Sequence, residues 1–109
     1  MRKIETQMIT AVQNDERWSS ANTTVIPGWE GTSDVYLHGN KIATIGEDWM
    51  QLFDGGRQSK TTKSRLNVIL SEYGVAGESV FQKNFEWFIR LWNGTEFFTT
   101  EFRNGMRLA

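Results

Sequence analysis

The run Gly55-Gly56-Arg57-Gln58-Ser59-Lys60-Thr61 holds the residue types that cradle phosphate. Glycines let backbone N–H groups approach an anion, lysine supplies charge, and hydroxyls bind or cap. A nucleotide hydrolase of the phosphate-loop type needs glycine directly before the lysine, inside a parallel strand–helix crossover. Ser59 stands there instead, and the flanking segments read as antiparallel hairpins. What survives is a helix start. Ser59, Thr61 and Thr62 can each cap it or offer a hydroxyl, and Arg57, Lys60, Lys63 and Arg65 surround them. No acid lies between Asp54 and Glu72, although a helix dipole favours acids in the first turn. A local departure from such a preference marks a candidate site. The expectation is a phosphate-contacting surface of Arg57, Ser59, Lys60, Thr61, Lys63 and Arg65. The plainer alternative is a solvated charged face.

A second candidate lies further on. Strands are expected near 78–82, 85–92 and 95–102, joined by two-residue turns at Lys83-Asn84 and Asn93-Gly94. Strand alternation then places Val80, Phe85, Trp87, Ile89, Leu91 and Phe98 on one face. Phe81, Phe88, Arg90, Trp92 and Phe97 fall on the other. Both faces are rich in large apolar groups, and only one can lie on the helices. The second needs a cover: the N-terminal loops, another copy, or a ligand. An aromatic platform beside Arg90 suits the stacking of unpaired bases. The same patch, Phe81, Phe88, Trp92 and Phe97, also suits docking of a host protein or a homodimer.

Catalysis finds little support in the residue types. The single histidine, His38, sits beside a tight turn, where a surface position is expected. With no cysteine, one histidine and no spaced acidic loop, neither a metal nor another cofactor is expected. The pairs Asp15-Glu16 and Glu47-Asp48 read as solvated turns, and no enzymatic activity is assigned.

The elements that must position these groups follow from periodicity. Ile4, Met8, Ala11 and Val12 form one stripe of a helix over Met1–Asn14, with Lys3, Gln7, Thr10 and Gln13 facing water. Residues 15–22 read as a loop pinned by Trp18. Thr23–Ile26 reads as an edge strand ahead of Pro27, and Gly28–Ser33 as a loop carrying Trp29. Asp34–Gly46 is a hairpin turning at Gly39-Asn40, with Val35, Leu37 and Ile42 on one face. Trp49–Phe53 is a third strand. The helix 61–73 carries Leu66, Ile69, Leu70 and Tyr73 at helical spacing and stops at Gly74. Asn104-Gly105 makes a short turn-back.

At 109 residues, with 39% hydrophobic and 23% charged content, the chain is expected to be one globular domain, 1–109. No apolar run is long enough for a membrane span, and no signal-peptide pattern opens the chain. The net charge of −1 argues against a wholly basic nucleic-acid binder. Its distribution is uneven: residues 1–54 sum to −4 and residues 55–109 to +3, which places any anion-binding face in the second half.

Four segments, SANTTV, VYLHGNKIATI, SKTTKSRLNVIL and VFQKNFEWF, resemble a family of small uncharacterised proteins of tailed phages, including phages of marine cyanobacteria. The resemblance runs from about residue 2 to residue 102. It implies a phage origin and the host cytoplasm as workplace, and it brings no functional residue with it.

The fold expected is α+β: antiparallel meanders with two main helices, in the order helix, three or four strands, helix, three strands. The function expected first is a non-enzymatic nucleic-acid-binding module using the basic helix start and Arg90. The alternative is a protein-interaction module, a phage inhibitor or adaptor of a host protein, using the aromatic sheet face.

Overall fold

The computed structural model describes residues 2–108. Helix α1 spans Lys3–Gln13; the expected start at Met1 lies outside the described residues. Met8, Ala11 and Val12 are buried, and Lys3, Gln7, Thr10 and Gln13 are exposed, as the periodicity requires. The stripe is rotated slightly from the expected one. Ile9 and Glu5 are buried, while Ile4 is only half-buried.

The stretch read as a loop contains a strand, β1 (Trp18–Ser20). It pairs with β2 (Thr23–Pro27) through a two-residue turn in which Ala21 adopts φ 50°. β2 is therefore an internal strand and not the expected edge. Two serines after one tryptophan give no period-2 signal, so β1 is visible only through its pairing. After a single 3-10 turn, Trp29–Gly31, β3 (Ser33–Leu37) and β4 (Asn40–Ile45) form the expected hairpin. Its turn is His38-Gly39, one residue earlier than expected, with φ of 52° and 78°. Positive φ at both central residues belongs to the I′ turn, whose twist matches that of the strands. A bulge shifts the register between Val35 and Tyr36, so that consecutive residues Ile42 and Ala43 are both buried.

β5 (Met50–Leu52) follows, then α2 (Lys60–Tyr73). β6 (Ser79–Lys83), β7 (Glu86–Trp92) and β8 (Phe97–Glu101) form the second meander. Its first turn is Asn84-Phe85, again with both φ positive, at 52° and 65°. The second connection is not the expected two-residue Asn-Gly turn. Trp92 pairs with Phe97, so four residues intervene, and the Asn93 side chain accepts from the N–H of Thr95 at 2.8 Å and of Glu96 at 2.9 Å. That side-chain cap makes the longer loop favourable. After Asn104-Gly105 the chain returns as β9 (Met106–Leu108), which pairs with β5.

Among the described residues, the α+β fold thus has two α-helices and nine strands in two antiparallel sheets. The order is β1-β2-β3-β4-β5-β9 in one sheet and β6-β7-β8 in the other. One core joins them: Met8, Ile9 and Val12 of α1, Leu66, Ile69 and Leu70 of α2, Val35, Leu37, Ile42 and Leu52 of the larger sheet, and Val80, Trp87 and Ile89 of the smaller. No helix among the described residues is long and apolar enough to cross a membrane.

Candidate binding surfaces

The three-stranded sheet separates its faces as alternation demands. Val80, Trp87, Ile89 and Leu91 are buried against the helices. Phe81, Phe88, Arg90, Trp92 and Phe97 occupy the opposite face, which no other element covers completely. Trp92 remains 38% exposed, Phe81, Phe88 and Phe97 are half-buried, and Arg90 is exposed. Two expected members of the inner face differ. Phe85 stands in the turn and is 94% exposed, and Phe98 is 41% exposed because β8 is the last strand of its sheet.

The outer face is an ordered aromatic layer. Phe81 and Phe88 are cross-strand partners and stack with centroids 5.9 Å apart. Trp92 and Phe97 are partners on the other strand pair and meet edge to face at 5.0 Å. The Arg90 guanidinium lies over the Phe97 ring, 4.0 Å from its centroid. Cation–π and edge-to-face contacts of this kind fix ring orientation while leaving area open. Phe97 reaches across the sheet to Gly77. A Cβ there would stand 2.7 Å from Phe97 Cζ, and Gly77 has φ 99°, so only glycine fits both the backbone and the ring.

Two polar side chains hold this sheet in place. The Asn67 amide of α2 donates to Val80 O at 3.0 Å and accepts from Val80 N at 2.7 Å, acting as a neighbouring strand would on the outer edge of β6. The Glu78 carboxylate accepts from Val75 N at 2.8 Å and from Trp92 N at 3.0 Å, tying the turn after α2 to the end of β7 that carries Trp92. Neither residue was singled out in the sequence. Each is an isolated polar residue at an element boundary, which carries no periodic signal.

The basic helix start is resolved into unlike parts. Ser59 is the N-cap, and its Oγ accepts from Thr62 N at 3.2 Å. Arg57 and Lys60 are exposed, while Thr61 and Lys63 are half-buried. Asp54 folds back on the same loop and accepts from Gly56 N at 2.8 Å. It shares with His38, Asn40 and Arg57 the wall of a cleft of about 230 Å³. A carboxylate in that wall opposes an anion.

Arg65 does not belong to this surface. It is 3% exposed, and its Nη1 donates to Glu5 Oε2 at 2.9 Å. Its Nε donates to Thr23 Oγ1 at 3.2 Å and its Nη2 to Asn22 Oδ1 at 3.4 Å. The physical reason is position: Thr62, Arg65, Leu66 and Ile69 lie at i, i+3, i+4 and i+7, so Arg65 is on the buried stripe. Its partner Glu5 also accepts from Ser64 Oγ at 2.5 Å and from Arg2 N at 3.2 Å. Burial pushes the Glu5 carboxyl up, but the Ser64 hydroxyl, the Arg2 amide and the Arg65 guanidinium outweigh it and hold Glu5 below its ordinary value. The expectation that Arg65 contacts phosphate is thereby corrected. Arg90 is separated too. It stands on the outer face of the small sheet, whereas α2 packs on the inner one, so the basic residues do not form one surface.

The geometry defines an α+β domain whose distinctive feature is an open aromatic sheet face. The family described as Kyanoviridae Gp96 protein matches the chain over residues 1–109. The chain belongs to that family of phage proteins, in agreement with the resemblance seen in its four segments. No curated protein and no solved structure matches it.

Proposed function

We propose that this phage protein is a non-enzymatic interaction module that works in the host cytoplasm and binds a partner protein through the outer face of the three-stranded sheet. The observation that carries the reading is the open aromatic layer of Phe81, Phe88, Trp92 and Phe97, on a sheet whose other face is already buried. Tryptophan and arginine held in fixed orientation are the residue types that dominate protein interfaces. The charge around the layer favours a protein over a polyanion. By alternation Lys83 and Arg90 share the outer face with Glu86 and Glu101, so the surface has no net positive field. Nucleic-acid binding through Arg57, Lys60 and Lys63 is the competing reading, supported by the absence of acid in the first turn of α2.

One experiment separates them. Wild type, Trp92→Ala and Lys60→Glu/Lys63→Glu are used to capture partners from infected-cell lysate, and each is titrated with single- and double-stranded DNA and RNA at two salt concentrations. The expected result is one protein retained by wild type and by the charge variant and lost by Trp92→Ala. Tight, steeply salt-dependent nucleic-acid binding that the charge variant abolishes would overturn it.

A further inference from the structure

We propose that β8 is a self-pairing edge: two copies join antiparallel about Thr99, making one continuous sheet and bringing Glu101 of each copy to Arg90 of the other. This rests on the reading of the small sheet as a protein-binding surface and names a second copy as one of its occupants.

The backbone of β8 defines the edge. Phe102 N donates to Trp87 O at 3.0 Å, and Asn93 N donates to Glu96 O at 3.1 Å. In an antiparallel ladder the residues that bond to the neighbour alternate with those that face away. Glu96, Phe98, Thr100 and Phe102 therefore face β7, and the N–H and C=O of Phe97, Thr99 and Glu101 point outward. Among the described residues no hydrogen bond reaches those outward groups.

The other edges are treated differently. β6 is closed at Val80 by Asn67. β1 and β9, the edges of the larger sheet, are three residues each. β8 runs for five residues in unbroken register, with no bulge, proline or lysine, and carries the sequence Phe-Phe-Thr-Thr-Glu. Edges that stay single usually carry one of those protections.

The edge is also complementary to itself. Pairing Thr99 with Thr99 of the second copy matches outward groups with outward groups, and a Thr–Thr pair is favourable on a sheet. Phe97 then lies opposite the second copy's Glu101. The Arg90 guanidinium already sits over Phe97, and neither Arg90 nor Glu101 has an ion-pair partner among the described residues. The Glu101 carboxylate thus arrives beside an unpaired guanidinium, twice by symmetry. On the inner side the exposed Phe98 meets the second copy's Thr100.

Pairing of five residues buries less than a standard interface of about 1,600 Å², so the dimer is expected to depend on concentration. Sedimentation across a concentration series tests it. Wild type should move from monomer to dimer. Thr99→Lys sets two ammonium groups against each other at the axis and should weaken self-association about tenfold or more. Glu101→Arg should weaken it similarly, and Arg90→Glu with Glu101→Arg should restore it. Both positions are exposed, and denaturant midpoints close to wild type confirm that the variants fold. A wild type that stays monomeric at its highest soluble concentration overturns the inference, as does a dimer indifferent to Thr99→Lys. Either failure leaves the Trp92-dependent capture untouched, so the two readings fail separately.

Discussion

Replacing Arg65 by alanine should cost stability and leave any ligand-binding surface alone. The substitution removes the guanidinium that pairs with Glu5 at 2.9 Å and donates to Thr23 and Asn22. Glu5, 2% exposed, would keep only the Ser64 hydroxyl and the Arg2 amide. Breaking a buried ion pair from one side costs about 3–5 kcal/mol. Truncating a surface arginine costs within about 0.5 kcal/mol, so the two placements of Arg65 are well separated. Urea denaturation followed by tryptophan fluorescence measures the difference. The pH dependence adds a second reading. Glu5 is held below its ordinary value in the folded protein, so its contribution is present above the unfolded value of 4.5 and is lost as pH falls through the folded one. In Arg65→Ala a cause of the depression is gone and Glu5 protonates more readily, so the gap to wild type should narrow on acidification. Glu5→Met with Arg65→Met should recover most of the loss, since apolar pairs replace buried ion pairs well. A loss under about 1 kcal/mol at neutral pH, or a gap that widens in acid, would refute the buried-pair account.

Two further substitutions test the supports of the aromatic sheet. Asn67→Ala removes both bonds to Val80 and should destabilise by about 1–3 kcal/mol in the same denaturation assay. Phe85→Gly relieves a left-handed residue that is 94% exposed and should stabilise by about 1 kcal/mol, read as a higher denaturant midpoint.

The fold class was legible because the long periodic segments state it. Leu66, Ile69 and Leu70 place α2, and the alternation through Ile89 and Leu91 separates the two faces of the meander correctly even with its first turn shifted by one residue. Moving a two-residue turn by one residue moves the pairing by two, so that Val80 faces Ile89 in place of Trp87, and a shift of two keeps every residue on its face. Turn positions were less legible. At His38-Gly39 and Asn84-Phe85 a residue other than glycine takes positive φ, so glycine and asparagine marked the turns only to within a residue. The charged residues were less legible because their helical phase, and not their number, decides which of them reach solvent. Glu5 lies at helical spacing with Met8, Ile9 and Val12, and Arg65 with Ile69. An acid on one apolar stripe and a base on another signal a buried pair, and that signal was present in the sequence.

The return of β9 to β5 has a consequence for how the molecule assembles. Gln51 Nε2 bonds Gly105 O across 54 positions of sequence, and α2 with the whole aromatic meander lies inside that closure. The hairpins close over two to four residues, whereas this seam must close a loop several doublings longer, at about 0.6 kcal/mol per doubling. Local hairpins should therefore form first and the β5–β9 seam last. Until it closes, β5 is a second bare edge beside β8, and refolding at high concentration should lose material to aggregation through it. The last strand thus acts as a clasp, and the rate of its arrival sets how long the chain is vulnerable.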